Sequence, residues 1–262
     1  MIIKCNDEDK SNILQYIGED YGNCLYMYID LIKYGLKNEN FHIWIQYNND
    51  EICCLISQYY NGIQIYSKNY NFNEKEVVDF IIKKDPEIIS GMKKSIDKIK
   101  NFFSNYSDEV GVIGELSKLK YPPNLNAYSA SFEELDEIAK VVAQDEVLGK
   151  PYGYERLYNQ FYERKKDKFG RNFILRDSST KDIICHAATY AEIPNLAVIS
   201  GVLTTPQYRG KGFSKGVLSA ICNELQVENK RIFSYFYIIQ AEKMHYGVGF
   251  EKIGEWEKLT KH

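Results

Sequence analysis

Between residues 196 and 229 an apolar run, "LAVISGVLT", leads into "TTPQYRGKGFSKG" (204–216) and then into a segment of helical period. The middle stretch holds three glycines and three basic side chains. In "KGVLSAICNELQVEN", Val217, Leu218, Ile221, Cys222 and Leu225 fall on one face, so the unit is strand, glycine loop, helix. A helix start carries unpaired backbone N–H groups and the positive end of the helix dipole. Glycine removes the Cβ atoms that would hold a phosphate off the backbone, and it tolerates positive φ. Gly210 and Gly212 stand just before the helix, with Arg209 and Lys211 adding charge. These residue types in this order make a polyphosphate cradle.

Two common phosphate loops are excluded. A Walker loop needs glycine five residues before Gly210, where Thr205 stands, and Lys211 is followed by Gly212 and not by Ser or Thr. A dinucleotide fingerprint opens correctly at Gly210-x-Gly212, but Lys215 occupies the third glycine position, and the preceding strands form a meander, not a βαβ unit. A net charge of −3 argues against general nucleic-acid binding. No apolar run is long enough to span a membrane, and the acidic start "MIIKCNDEDKSN" has no signal-peptide core. The six cysteines lack C-x-x-C spacing and mostly lie in apolar runs. They are expected to be reduced core thiols of a cytoplasmic protein, with no metal site.

Two halves meet near "KLKYPPNLNAYS" (118–129), where a Pro-Pro pair interrupts every period, giving expected domains 1–117 and 118–262. The first half begins with helical patterns over 9–35 and continues with strands at 41–47, 52–60 and 63–67, the last two turning at Asn61-Gly62. Helical segments are expected at 74–84 and over 87–103. The second half repeats the order. Ser131-x-x-Glu134 has the spacing of a capping box, and Leu135, Ile138, Ala139 and Val142 form one apolar helical face behind it. A tyrosine-rich helix (154–168) and strands at 172–176, 183–191 and 196–204 follow; beyond the glycine loop and its helix lies a strand at 231–238. The fold class is α+β, and the repeated order suggests an internal duplication.

Gln207-x-x-Gly210-x-Gly212 matches the Q/R-x-x-G-x-G/A pyrophosphate loop of the GNAT superfamily of acetyl-CoA-dependent N-acetyltransferases. "AEKMHYGVGFEKIGEW" (241–256) resembles that family's closing A-x-x-x-Y-x-x-x-G-F segment. The resemblance covers residues 127–262 and implies a mixed, mainly antiparallel sheet flanked by helices; with the repeated order of the first half, the expectation is two tandem related domains. It implies an acetyl-CoA site on Gln207, Arg209, Gly210, Lys211, Gly212, Phe213 and Ser214. The pantetheine arm is expected along Val202 and Thr204, or Leu203 one step out of phase, in the gap between the strands at 196–204 and 231–238. Gly201 suggests a bulge or a close backbone approach within that strand. A bulge there would aim an N–H at the thioester carbonyl.

What the resemblance implies for activity is acetyl transfer to a primary amine of a small molecule or peptide, by direct attack in a ternary complex. The alternative is a CoA-binding regulatory module without turnover. Where the family has a tyrosine as acid, this chain has His245, with Tyr246 next to it, and both are candidates. The family's fourth-strand glutamate is replaced by Leu196, which leaves Glu192 as the nearest carboxylate in sequence for a base. His186, in an apolar strand, is expected to be a packed core residue, and Lys215 a solvated one. The first half lacks a glycine loop: "SKNYNFNEKEVV" (67–78) starts its helix with Glu74 and Glu76, which would repel a pyrophosphate. That half is expected to shape an acceptor cleft or an interface, and a homodimer is left open.

Overall fold

The computed structural model describes residues 1–262. They form two units, residues 1–113 with 252–262, and residues 114–251. In the first, β1 (Ile2–Lys4) precedes two helices, α1 (Lys10–Ile17) and α2 (Leu25–Tyr34), and a meander of β2 (Phe41–Asn48), β3 (Glu51–Tyr59) and β4 (Gly62–Tyr66). The β2–β3 turn is Asn49-Asp50, with φ of 48° and 65°, as a two-residue type I′ hairpin requires. The next turn is Tyr60-Asn61, one residue earlier than expected. Gly62 is already in the ladder, opposite Tyr59 on one side and Ile88 on the other, so Tyr60 takes the positive φ of 49°.

After α3 (Glu74–Lys84), the helix expected over 87–103 is replaced by β5 (Ile88–Met92), the short α4 (Lys93–Ile96) and a 3₁₀ turn. β5 runs parallel to β4 and antiparallel to the closing strand of the chain. Gly91 permits this: a Cβ there would lie 2.7 Å from the Ile65 carbonyl oxygen. Two ladders outweigh the local helical period. β6 (Tyr106–Leu116) completes this stretch.

The second unit repeats the order with β7 (Tyr128–Ser129), α5 (Leu135–Ala143), α6 (Tyr154–Lys166), β8 (Asn172–Arg176), β9 (Ile183–Ile193), β10 (Leu196–Thr204), α7 (Phe213–Val227), β11 (Arg231–Phe236) and α8 (Ile239–Val248), and the closing strand β12 (Phe250–Lys261) belongs from Lys252 onward to the first unit. Strands follow one another as β1-β2-β3-β4-β5 in the first unit and as β7-β8-β9-β10-β11 in the second. In both, all neighbours are antiparallel until the last pair, β4–β5 or β10–β11, which is parallel. The two halves share one topology. The expected second domain, 118–262, differs at its end: Trp256 to Thr260 of β12 pair with Met92 to Ile88 of β5. β12 thereby covers an edge that β5 would otherwise leave unpaired.

Helices cover both faces of the second unit's sheet. Val217, Leu218, Ile221, Cys222 and Leu225 of α7 pack on Ala197, Ile199 and Ile232. On the other face Leu135, Ile138, Ala139 and Val142 of α5 join Leu157 and Phe161 of α6 over Ile174 and Leu203. Half of the expected capping box forms: Glu134 accepts the Ser131 N–H at 2.9 Å, but α5 starts only at Leu135, with no side-chain cap. All six cysteines are free thiols. No helix is long and apolar enough to cross a membrane.

The Pro-Pro segment is no slack linker. The Asn124 N–H donates to the Gly216 carbonyl at 3.0 Å, and Lys120 and Ser117 donate to Val248 and Gly249. It is a strap across the start of α7 and the end of α8. Gly249 has φ of 124°, and a Cβ there would stand 1.8 Å from the Lys118 carbonyl oxygen. Gly249→Ala should therefore cost more than about 1 kcal/mol, since it combines positive φ with a backbone clash. A thermal melt checks this; an unchanged Tm would mean that the strap is not held as described.

Candidate functional site

The parallel pairing of β10 and β11 begins at Leu196–Arg231 and stops at Ile199–Ser234. β10 continues to Thr204, still paired to β9 through Leu203–His186 and Thr204–Cys185. The two parallel strands therefore separate after Ile199 and Ser234. In the β9–β10 register the step from Ser200 to Leu203 is matched by only two residues of β9, Ala188 to His186, so Gly201 and Val202 form a bulge. Gly201 takes φ of 61°, the left-handed region that glycine enters freely. Val202 and Thr204 are half-exposed, whereas the Leu203 side chain is buried in the α5–α6 core.

Beyond β10, a 3₁₀ turn over Pro206–Tyr208 leads to Gly210 and Gly212, at φ of 80° and 81°. Gly212 is the N-cap of α7 and offers no side-chain cap, so the first-turn N–H groups remain available to a ligand. A Cβ on Gly210 would meet nothing within 4 Å. Gln207 is exposed, and so are Arg209 and Lys211; Phe213 and Ser214 are half-buried in the first turn of α7. Arg209 Nε donates to the Thr204 carbonyl at 3.0 Å, which ties the loop to the end of β10. Its Nη2 lies 3.4 Å from Asp145 Oδ2, in the α5–α6 connection. Lys215 is half-buried, not solvated. Its Nζ stands 5.7 Å from the Tyr121 ring centroid and would lie 2.7 Å from a Cβ on Gly247. The Tyr121 hydroxyl would lie 2.9 Å from a Cβ on Gly212. Sequence reasoning missed Tyr121, because a Pro-Pro pair signals interruption and says nothing about where the strap docks.

His245 sits at the fork of the separating strands but is enclosed. Its ring stacks on Phe236 at 4.6 Å and meets Phe250 edge-on at 5.1 Å. Nδ1 lies 2.7 Å from the Ala241 carbonyl oxygen and Nε2 lies 3.0 Å from Ser234 Oγ. Burial pushes its pKa down to about 4, against which the Ala241 contact pulls weakly. The ring is therefore neutral at pH 7: Nδ1–H donates to Ala241, and Nε2 accepts from the Ser234 hydroxyl. Tyr246, next along α8, is half-buried, its ring edge-on to Phe236 at 5.8 Å.

Glu192 is placed where it cannot serve as a base for the gap. It pairs with Ala197 at the other end of β10, remote from the bulge. Its carboxylate receives both Arg171 Nε and Nη2 (2.8 and 2.6 Å), Lys230 Nζ (2.7 Å) and the Thr189 hydroxyl (2.7 Å). Burial raises its pKa, but these donors outweigh burial and hold it below the ordinary carboxylate range. Arg171 also binds Glu224 and Glu228, and it holds Glu228 down to about 2. This is a structural ion network built around the buried Glu192.

In the first unit the equivalent positions are closed. β4 and β5 stay paired to Ile65–Gly91, one residue before each strand ends, and the Tyr66 hydroxyl donates to Asp20. The start of α3 is capped from within, since Asn73 Oδ1 accepts the Glu76 N–H at 3.1 Å. No group of three or more His, Cys, Asp or Glu side chains is arranged to hold a metal ion.

No protein-family model matches the chain, and no curated protein matches it in sequence. Solved structures do match it. A GNAT-family acetyltransferase from Colwellia psychrerythraea superposes with a TM-score of 0.63 at 11% identity, over 100% of both chains. The chain has the GNAT fold. A GCN5-related N-acetyltransferase from Sphaerobacter thermophilus gives 0.63 at 12% identity, covering 100% of this chain and 95% of that one. A tandem GNAT protein from the clavulanic acid biosynthesis pathway gives 0.61 at 9% identity, covering 99% and 97%. In GNAT terms, both halves keep the strand–helix order, while the open strand pair and uncapped glycine loop occur in the second unit.

The Glu192 network makes a pH prediction. A carboxylate with a depressed folded pKa contributes stability that is present above its unfolded value, about 4.3, and lost as pH falls through the folded one. Glu192→Gln should cost about 1–3 kcal/mol at pH 7, because buried cationic donors lose a charged partner. The difference from wild type should narrow below about pH 4. Thermal melts at pH 7 and at about pH 3 check this; a loss that does not shrink at the lower pH would mean that charge is not the cause.

Proposed function

We propose that the second unit binds acetyl-CoA and transfers its acetyl group to a primary amine of a small molecule or peptide. The observation that carries this reading is the continuous run from the open end of β10–β11, through the Gly201 bulge, to an uncapped glycine loop at a helix start. The pyrophosphate would rest on the N–H groups of residues 210–214, with Gln207, Arg209 and Lys211 around it. The pantetheine arm would follow the main chain of Val202 to Thr204, its thioester near the bulge. The open space beside Gly210 fits a phosphate group, whereas the capped start of α3 and its Glu74 and Glu76 do not.

In the reaction the amine nitrogen attacks the thioester carbonyl. The C–N bond forms as charge develops on the carbonyl oxygen, then the C–S bond breaks and the thiolate takes a proton, while the new ammonium nitrogen loses one to solvent. His245 is neutral and already donates its single N–H to Ala241, so it is a poor acid. We assign the proton donor to Tyr246, about 100° around α8 from His245. His245 then acts as the wall of the fork, clamped between Phe236, Phe250 and Ser234.

Calorimetric titration with acetyl-CoA tests the binding step. One molecule should bind per chain, and Gly210→Val should abolish binding; its side chain enters open space but meets the strain of a φ of 80°, so a thermal melt of the variant accompanies the titration to show that it is folded. Two molecules per chain, or unchanged affinity in that variant, would refute the cradle. The chemical step is tested by release of free CoA across polyamines, aminoglycosides, amino acids and peptides. Tyr246→Phe should lower kcat about 10²–10⁴-fold with little change in acetyl-CoA affinity. Binding without CoA release from any amine would instead favour a regulatory module.

A further inference from the structure

His186 is more than core filling. It lies on β9, opposite Ile174 of β8 and Leu203 of β10, both of which belong to the α5–α6 core. Its side chain is 1% exposed. Nδ1 is 2.8 Å from the Gly201 carbonyl oxygen, and Nε2 is 2.9 Å from the Asn172 side-chain oxygen. Phe161 packs at 5.8 Å from the ring. Burial pushes the pKa down to about 4, so near neutral pH the ring has one N–H.

Two oxygens cannot both face the nitrogens of a neutral imidazole favourably. The Gly201 carbonyl can only accept, so Nδ1 must carry the hydrogen. The Asn172 amide can rotate by half a turn and present its NH₂ to Nε2, an orientation that heavy-atom positions do not fix. The outcome is a directional chain: Asn172 N–H to Nε2, and Nδ1–H to Gly201 O. In a trans peptide the carbonyl and the following N–H point in opposite directions. Fixing the Gly201 carbonyl on His186 therefore points the Val202 N–H away from the imidazole. A bulge with φ of 61° is held this way by a donor that no rotation of its own backbone can replace.

We propose that His186, oriented by Asn172, is a positioning residue that locks the Gly201 bulge so that the Val202 N–H polarises the acyl carbonyl. The proposal rests on the acetyl-CoA reading above. It separates the two nitrogens of one ring: the δ donor matters to the bulge, the ε nitrogen only to Asn172. Asparagine can place an amide N–H near the Nδ1 position, whereas glutamine reaches the Nε2 position and leaves the Gly201 carbonyl without a donor.

Two measurements test it, and neither needs the acceptor. In ¹⁵N-labelled full-length protein, His186 should be a neutral Nδ1–H tautomer between pH 5 and 8, on the order of the range in which free histidine titrates. An Nε2–H tautomer or an imidazolium there overturns the proposal even if the variants fail to fold. In the second, acetyl-CoA carrying ¹³C at the thioester carbonyl is bound to wild type, His186→Asn and His186→Gln. The downfield shift of the bound carbonyl should persist in wild type and His186→Asn and be largely lost in His186→Gln, with the acetyl-CoA Kd changed less than about threefold, because a single hydrogen bond to the carbonyl acts mainly on developing charge. Equal carbonyl shifts in the two variants overturn the proposal. A wild-type protein that does not bind acetyl-CoA refutes the functional reading instead, while the imidazole spectrum still decides whether His186 holds the bulge.

Discussion

Everything distinctive about the second unit follows from β10 losing one partner while keeping the other. Up to Ile199 it is held on both sides, by β9 and by β11. Beyond that point only β9 holds it, and a strand with one free side can bulge. Gly201 makes the bulge accessible, and His186 gives its turned carbonyl a buried partner. An unpaired buried carbonyl would cost about 1–3 kcal/mol, so the histidine and the bulge depend on each other. The glycine loop then starts from a strand end whose position is already determined, with Arg209 tied back to Thr204.

The first unit shows what the same topology does without those features. Its parallel pair, β4 and β5, stays in register to within one residue of the end of β4, and Gly91 serves close strand approach and not a bulge. Asn73 caps the next helix and Glu74 and Glu76 fill its first turn, which satisfies locally the groups that α7 leaves open. One chain thus carries two outcomes of a single fold. In one the helix start is capped by a side chain, and in the other it has no side-chain cap.

Much of this was legible in the sequence, for identifiable reasons. The apolar faces of α5 and α7 repeat over two or more turns, and such a period survives in almost any tertiary context. The glycine loop combines several residue types whose physical requirements coincide. Gly201 stood out because glycine is weak in strand interiors. What sequence could not supply was long-range partnership. The stretch 87–103 has a helical period, yet Ile88–Met92 became a strand because two ladders, one of them formed by residues 256–260, claimed it. The Pro-Pro strap carried no sign of its docking onto Gly216 and Val248.

Two of the candidate catalytic residues, Glu192 and His245, are engaged elsewhere for a sharper reason. Position along a strand and chemical type do not reveal how a group is already engaged. Glu192 is adjacent to the fourth strand in sequence, but the sheet sends it to the end opposite the gap, where Arg171, Lys230 and Thr189 consume its lone pairs. His245 occupies the expected place on α8, but enclosure by two phenylalanines removes its charge, and Ala241 takes its only proton. His186 shows the converse. A histidine in an apolar strand suggests inert packing, and it is indeed buried. Burial is also what makes it useful, because a neutral ring with one N–H can donate in one direction only, and that direction is toward the Gly201 carbonyl. The two histidines nearest the open strand pair are thus each tied to a backbone carbonyl, His186 to Gly201 and His245 to Ala241.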